Sequence, residues 1–163
     1  MIKAGLLTAF ILVATNTFAG GGSNGAFPTG PNPQLTPGET CANADTYRYP
    51  EHIAYCQRNV DTGTKNEVIK TYDQNLGYSI QQMPRNKFKI DHYIPLCMGG
   101  GNDKENLWPQ HESVYTITDP LEQEACEKMA EGKLLQAKAI ELIKQAKNHL
   151  DQVAQIRDYV HSL

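Results

Sequence analysis

Four cysteines, at positions 41, 56, 97 and 126, constrain this chain more than any other feature, because each pair that joins fixes which segments lie side by side. Their state depends on the compartment, since thiols stay reduced in the cytosol and pair in oxidising spaces. The first residues predict that compartment. Lys3 is followed by eleven nearly all apolar residues, Ala4 to Ala14, and Thr17-Phe18-Ala19 then offers small residues where a signal peptidase reads. A membrane span needs about 20 apolar residues. The run therefore reads as a secretory signal peptide over 1–19, cut after about Ala19, which predicts a secreted or periplasmic protein with no membrane attachment once cleaved.

A zinc site made of these thiols would want spacings such as Cys-x-x-Cys, and the closest pair is fifteen residues apart. Two disulfides are expected instead, from three possible connectivities. Cys41 with Cys56 would pin the leading edge of the domain, and Cys97 with Cys126 would clamp the central segment to a following helix, so that pairing is favoured. Each such bridge is worth roughly 3 kcal/mol in the chain-entropy view.

Residues 20–38 hold Gly20, Gly21, Gly22, Gly25, Gly30 and Gly38 with Pro28, Pro31, Pro33 and Pro37, which denies the stretch a helix or a strand ladder. A flexible tether over 20–40 is expected, with one folded domain over 41–163; the 163-residue length has room for a single domain. The balance of 15 Lys and Arg against 18 Asp and Glu, net −3, excludes a polycationic nucleic-acid coat.

Local patterns predict the elements of that domain. Behind an Asp61 or Thr62 cap, Val68, Ile69, Tyr72 and Leu76 recur at helical spacing up to Gly77, predicting a helix over 63–76. Between 85 and 90 the chain alternates, with Arg85, Lys87 and Lys89 on one face, predicting a basic strand. Gly99-Gly100-Gly101 turns the chain, Asn106-Leu107-Trp108 returns as a strand stopped by Pro109, and lone Trp108 is expected in the core. Asp119-Pro120-x-Glu122 predicts a helix start with Asp119 as N-cap and Glu122 as capping-box partner. A further helix is expected with Leu135, Ala139, Leu142, Ile143, Ala146 and Leu150 inward, and Lys138, Glu141, Lys144 and Lys147 outward.

Asp91-His92 ends the first strand, and the run 88–107, FKIDHYIPLCMGGGNDKENL, continues into NLWPQ. In this order Asp-His, Gly-Gly and Asn-Leu-Trp-Pro resemble the HNH endonucleases of the His-Me finger (ββα-metal) class, and within it a secreted, disulfide-containing bacterial branch. The resemblance is close over about 88–110 and looser over 119–134. It implies an α+β fold with a ββα-metal core over about 85–132, extra helices, and an endonuclease of little sequence specificity cutting DNA and/or RNA. It assigns His92 as general base, Asp91 as metal ligand, and Asn106 as the residue that braces the loop and orients the histidine. In the compact motif the last ligand follows the central Asn by about nine residues, which here is Tyr115, a poor ligand. The longer branch moves that ligand to the following helix, making Glu122 the leading candidate, His111 the second and Gln123 the third.

The residue chemistry fits independently. Phosphodiester hydrolysis needs a base for water and a cation for the charge growing on phosphate and leaving oxygen. Imidazole titrates near neutrality, and a carboxylate offers hard oxygen, so Mg²⁺ is expected ahead of Mn²⁺ or Zn²⁺. Neighbouring strand residues face opposite ways, so a backbone distortion is expected at Asp91-His92 if both serve one site. Arg85, Lys87 and Lys89 are expected to contact phosphates, with Lys104, Lys128 and Lys133 as possible extensions. His111-Glu112 does not begin a zinc-protease motif, since Tyr115 stands where His is needed. The competing reading is a non-catalytic extracellular binding module on the same scaffold; either way a monomer is expected.

Overall fold

The computed structural model describes residues 25–163, so the predicted signal peptide lies outside the described residues. The fold is α+β. Helix α1 (Thr62–Leu76) starts at Asp61, whose carboxylate accepts the Thr64 N–H, and ends at Gly77, whose φ of 72° closes the last turn. Its buried face is Val68, Ile69 and Tyr72. Ahead of it stands a short hairpin, β1 (Thr46–Arg48) with β2 (Ile53–Tyr55).

The central ribbon pairs β3 (Phe88–His92) with β4 (Leu107–His111), antiparallel, from Phe88 opposite His111 to His92 opposite Leu107. Two boundaries differ from the sequence reading. Arg85–Lys87 form a 3₁₀ turn, closed by the Lys87 N–H on the Pro84 carbonyl, so Arg85 and Lys87 do not share a strand face with Lys89. Strand β4 runs through Pro109, because a two-stranded ribbon has an outer edge with no ladder to which a missing N–H matters.

Helix α2 (Glu112–Ala130) follows directly, which gives the order strand, loop, strand, helix. It begins seven residues before the predicted cap at Asp119: His111 is the N-cap and Pro120 lies inside. The reason is the buried stripe Val114, Thr118, Leu121, Ala125 and Met129, which continues upstream of the proline. An interior proline costs about 3 kcal/mol. Burying Val114, upstream of the proline, contributes roughly 1.5–3 kcal/mol against that cost, and the buried Thr118 hydroxyl adds bonds to the Gln110 amide and the Val114 carbonyl.

Helices α3 (Gln136–Asn148) and α4 (Val153–His161) pack on α2. Ala139, Leu142, Ile143 and Ala146 point inward as their spacing requires, but Leu135, at 61% exposed, caps the helix from outside. Lys147, assigned to the solvated face, is fully buried. One core cluster joins α2, α3 and α4 around Leu121, Ile143 and Val160; the other joins α1 to the ribbon around Tyr72, Ile90, Leu107 and Trp108.

Both disulfides form as expected: Cys41 with Cys56, and Cys97 with Cys126, the second tying the loop between β3 and β4 to α2. In that loop Gly99 has φ 81°, and a Cβ on Gly100 would overlap the Ile94 carbonyl, so glycine is obligatory there.

Residues 25–40, read from composition as part of a flexible tether, are instead strapped to the domain. The Thr36 hydroxyl, fully buried, bonds the Tyr72 hydroxyl at 2.8 Å and donates to the Leu107 carbonyl at 2.9 Å. The Asn32 N–H donates to Tyr72 Oη, the Gly38 N–H to the Glu105 carbonyl, and Phe27 stacks on His111 at 3.7 Å. Proline forbids a ladder but also limits what the unfolded segment can do, so laying it down costs less entropy than glycine content suggests. Among the described residues no helix is long and apolar enough to cross a membrane.

Candidate functional site

Strand β3 has two faces of different character. Phe88, Ile90 and His92 turn to the buried side, while Lys89 and Asp91 turn to a half-open side covered by α2 and α3. Because α2 extends upstream of Pro120, Asp119 and Glu122 sit three apart on one helical face and meet Asp91 there. One oxygen of each of these three carboxylates lies within 4.8 Å of the others.

Two ammonium groups enter the same space. Lys89 Nζ donates to Asp119 at 2.8 and 2.9 Å and stands 3.4 Å from Asp91 Oδ2. Lys147 Nζ, from the end of α3, donates to the His92 carbonyl at 2.6 Å and lies 2.8 Å from Glu122 Oε1 and 3.9 Å from Asp91 Oδ2. Asp91 Oδ2 is buried and accepts no hydrogen bond.

The charges separate the two carboxylates. Burial raises the Asp91 carboxyl, but the facing charges of Lys147 and Lys89 outweigh it and hold Asp91 below the usual range. Glu122 goes the other way: burial, reinforced by the Asp91 charge, pushes it up to about 7 despite Lys147. Lys89 is raised, since Asp91 and Asp119 more than offset its own burial.

On the other face His92 is 3% exposed and fully engaged. Arg58 Nη1 is 3.1 Å from Nδ1, and a guanidinium only donates, so Nδ1 is the acceptor. The ring proton therefore sits on Nε2 and is donated to Asn102 Oδ1 at 3.1 Å. Asn102 is fixed in turn by the Gln57 carbonyl and the Asn59 N–H, and Arg58 also donates to the Ile90 carbonyl at 2.8 Å. Burial pushes the imidazole down to about 4, helped by the Arg58 and Lys147 charges and opposed by the Asn102 bond and Asp91. It is neutral at physiological pH.

Asn106 braces the loop: its Oδ1 accepts the Ile94 N–H at 2.8 Å, and its Nδ2 donates to the Ile94 and Gly101 carbonyls, both at 2.9 Å. It does not touch the imidazole; Arg58 and Asn102 set that ring.

The expected distortion at Asp91-His92 is absent. Regular pairing continues through both residues, so the carboxylate and the imidazole keep opposite faces. His111 is far from Asp91, at the other end of the ribbon, where it caps α2 and bonds Ser113. Gln123 bonds Glu127 along α2. Of the three basic residues only Lys89 reaches the cluster; Arg85 lies over the Phe88 ring and Lys87 pairs with Glu112. Lys104 pairs with Glu67, and Lys133 with Glu131.

Four members of the site have other readings, or none, in the sequence. Asp119 reads as a cap in the sequence, and its i, i+3 relation to Glu122 marks it only when the helix passes the proline. Lys147 reads as part of a solvated stripe, and nothing in the sequence marks Arg58 or Asn102. No family model matches the chain, and no curated protein or solved structure matches it either.

Proposed function

We propose that this protein is a secreted or periplasmic metal-dependent endonuclease that hydrolyses phosphodiester bonds of DNA and/or RNA. The observation that carries the reading is the meeting of Asp91, Asp119 and Glu122 at the end of the strand that bears His92. The strand, loop, strand, helix order and the Asn106 brace agree with the His-Me finger resemblance. Three carboxylates with no nitrogen or sulfur donor suit a hard cation, Mg²⁺ or Mn²⁺, better than Zn²⁺. Asp91 Oδ2, buried without a hydrogen bond, is an oxygen of the kind such a cation takes. Bound there, the ion would supply charge stabilisation to the phosphate and the leaving oxygen.

The chain's own residues supply the rest. His92 is held neutral, as a base must be, with its basic nitrogen Nδ1 covered by Arg58. A guanidinium matches a phosphate as well as it matches an imidazole. When Arg58 turns to the substrate phosphate, Nδ1 is left to take the proton of the attacking water, while Asn102 keeps the other ring proton in place. Regular pairing keeps Asp91 and His92 on opposite faces of β3, so a phosphate served by both has to lie across the end of the strand.

One observation favours the binding-module reading. With all three carboxylates ionised, Lys89 and Lys147 already match all but one of the negative charges, which is how a structural ion-pair network looks. Incubating the mature protein with plasmid and with RNA, in Mg²⁺ with and without EDTA, separates the two. EDTA-sensitive cleavage lost in His92→Ala and Asp91→Asn is expected. Cleavage that survives EDTA would sink the metal dependence, and no cleavage of either substrate would sink the nuclease reading.

A further inference from the structure

Lys147 is the anomaly of this molecule. Lysine is almost never fully buried, and an ammonium withdrawn from water costs several kcal/mol unless it is paired and hydrogen-bonded. Here its exposure is 0%, and its head group reaches the His92 carbonyl, Glu122 and Asp91, all on elements other than its own. Those carboxylates are two of the three that would hold a cation. Two positive ions cannot share the same oxygens without strong mutual repulsion.

The two lysines differ in what they can do about it. Lys89 has 37% of its side chain exposed and can swing into solvent. Lys147 has no exposed atom through which to leave, and the neighbouring α3 residues Ile143 and Ala146 anchor its helix in the core. We infer that Lys147 is a resident counter-cation of the acidic cluster: it competes with the divalent ion for Glu122 and Asp91 and so sets how weakly the site binds metal. The inference rests on the metal-dependent reading above and deepens it. In the metal-free state Lys147 holds the carboxylates together that would otherwise repel one another. A divalent ion gains them only against that charge.

The test is Mn²⁺ binding without nucleic acid, read from the free-ion EPR signal and from calorimetry, on the wild type, Lys147→Met and Lys147→Arg. Methionine keeps the bulk of the chain and removes the charge. Lys147→Met should bind Mn²⁺ about tenfold tighter or more, whereas Lys147→Arg should bind no tighter than wild type. Wild-type binding with unchanged or weaker binding in folded Lys147→Met would overturn the counter-cation role and leave the metal reading standing. No Mn²⁺ binding by either protein would overturn both. If circular dichroism shows Lys147→Met unfolded, Lys147→Gln carries the same expectation, because its amide can still donate to the His92 carbonyl while the charge is gone.

Discussion

Replacing Asn106 by alanine should loosen the loop between β3 and β4 more than any exposed substitution in it. The side chain is fully buried and makes three hydrogen bonds, one accepted from the Ile94 N–H and two donated, to the Ile94 and Gly101 carbonyls. Ile94 and Gly101 are themselves buried, so water does not replace what is lost. A buried donor left unpaired costs about 1–3 kcal/mol, and two orphaned carbonyls add a comparable amount, for a total of about 2–6 kcal/mol. At roughly 2–4 °C per kcal/mol for a domain of this size, the melting temperature should fall by about 4–24 °C. Urea unfolding followed by circular dichroism gives the free energy directly. Asn106→Asp sharpens the test, since it keeps the acceptor for Ile94 but sets a carboxylate against two carbonyl oxygens. At neutral pH it should be at least as unstable as the alanine variant and should recover partly in acid, where the protonated group can donate again. A loss below about 1 kcal/mol for alanine, or a wild-type-like aspartate variant, would refute the brace.

Glu122→Gln should change the pH dependence of stability. A carboxyl raised in the fold binds its proton more tightly folded than unfolded, so wild-type stability falls as pH rises from the ordinary 4.5 to about 7. The fall is on the order of 3 kcal/mol, and the glutamine variant should lack it; a wild type with flat stability over that window would contradict the assignment. Arg58→Ala should raise the His92 pKa above its value near 4 without restoring it to the ordinary 6.5, because burial is the larger cause and Arg58 the smaller. An NMR titration of the imidazole that shows no rise would mean that the guanidinium does not sit on Nδ1.

Helix α1, the buried face of β3 and both disulfides are legible because local rules decide them: a cap and its terminator, a two-residue period, and a small number of pairings. The start of α2 was misplaced because Asp119-Pro120 is a sound local start signal that burial upstream overrides. The sequence marks the carboxylates Asp91 and Glu122, but the same local signal hides Asp119 in a cap. Lys147 shows where sequence patterning ends. A lysine on an amphipathic helix is ordinarily solvated, and only the approach of β3 and α2 to the end of α3 makes this one internal. Arg58 and Asn102 lie in loops, 34 and 10 residues from the histidine they hold, where no periodicity exists to read.

The strap over residues 25–40 also orders events in time. It is made early, yet its anchors come much later: Tyr72 accepts from Asn32 across 40 residues, Leu107 accepts from Thr36 across 71, and Lys144 reaches the Pro37 carbonyl across 107. Contacts so distant in sequence cannot close until α1, the ribbon and α3 exist to receive them. During synthesis this early segment is thus among the last to be seated, and until then the Tyr72 hydroxyl and the Leu107 carbonyl must find their partners in water.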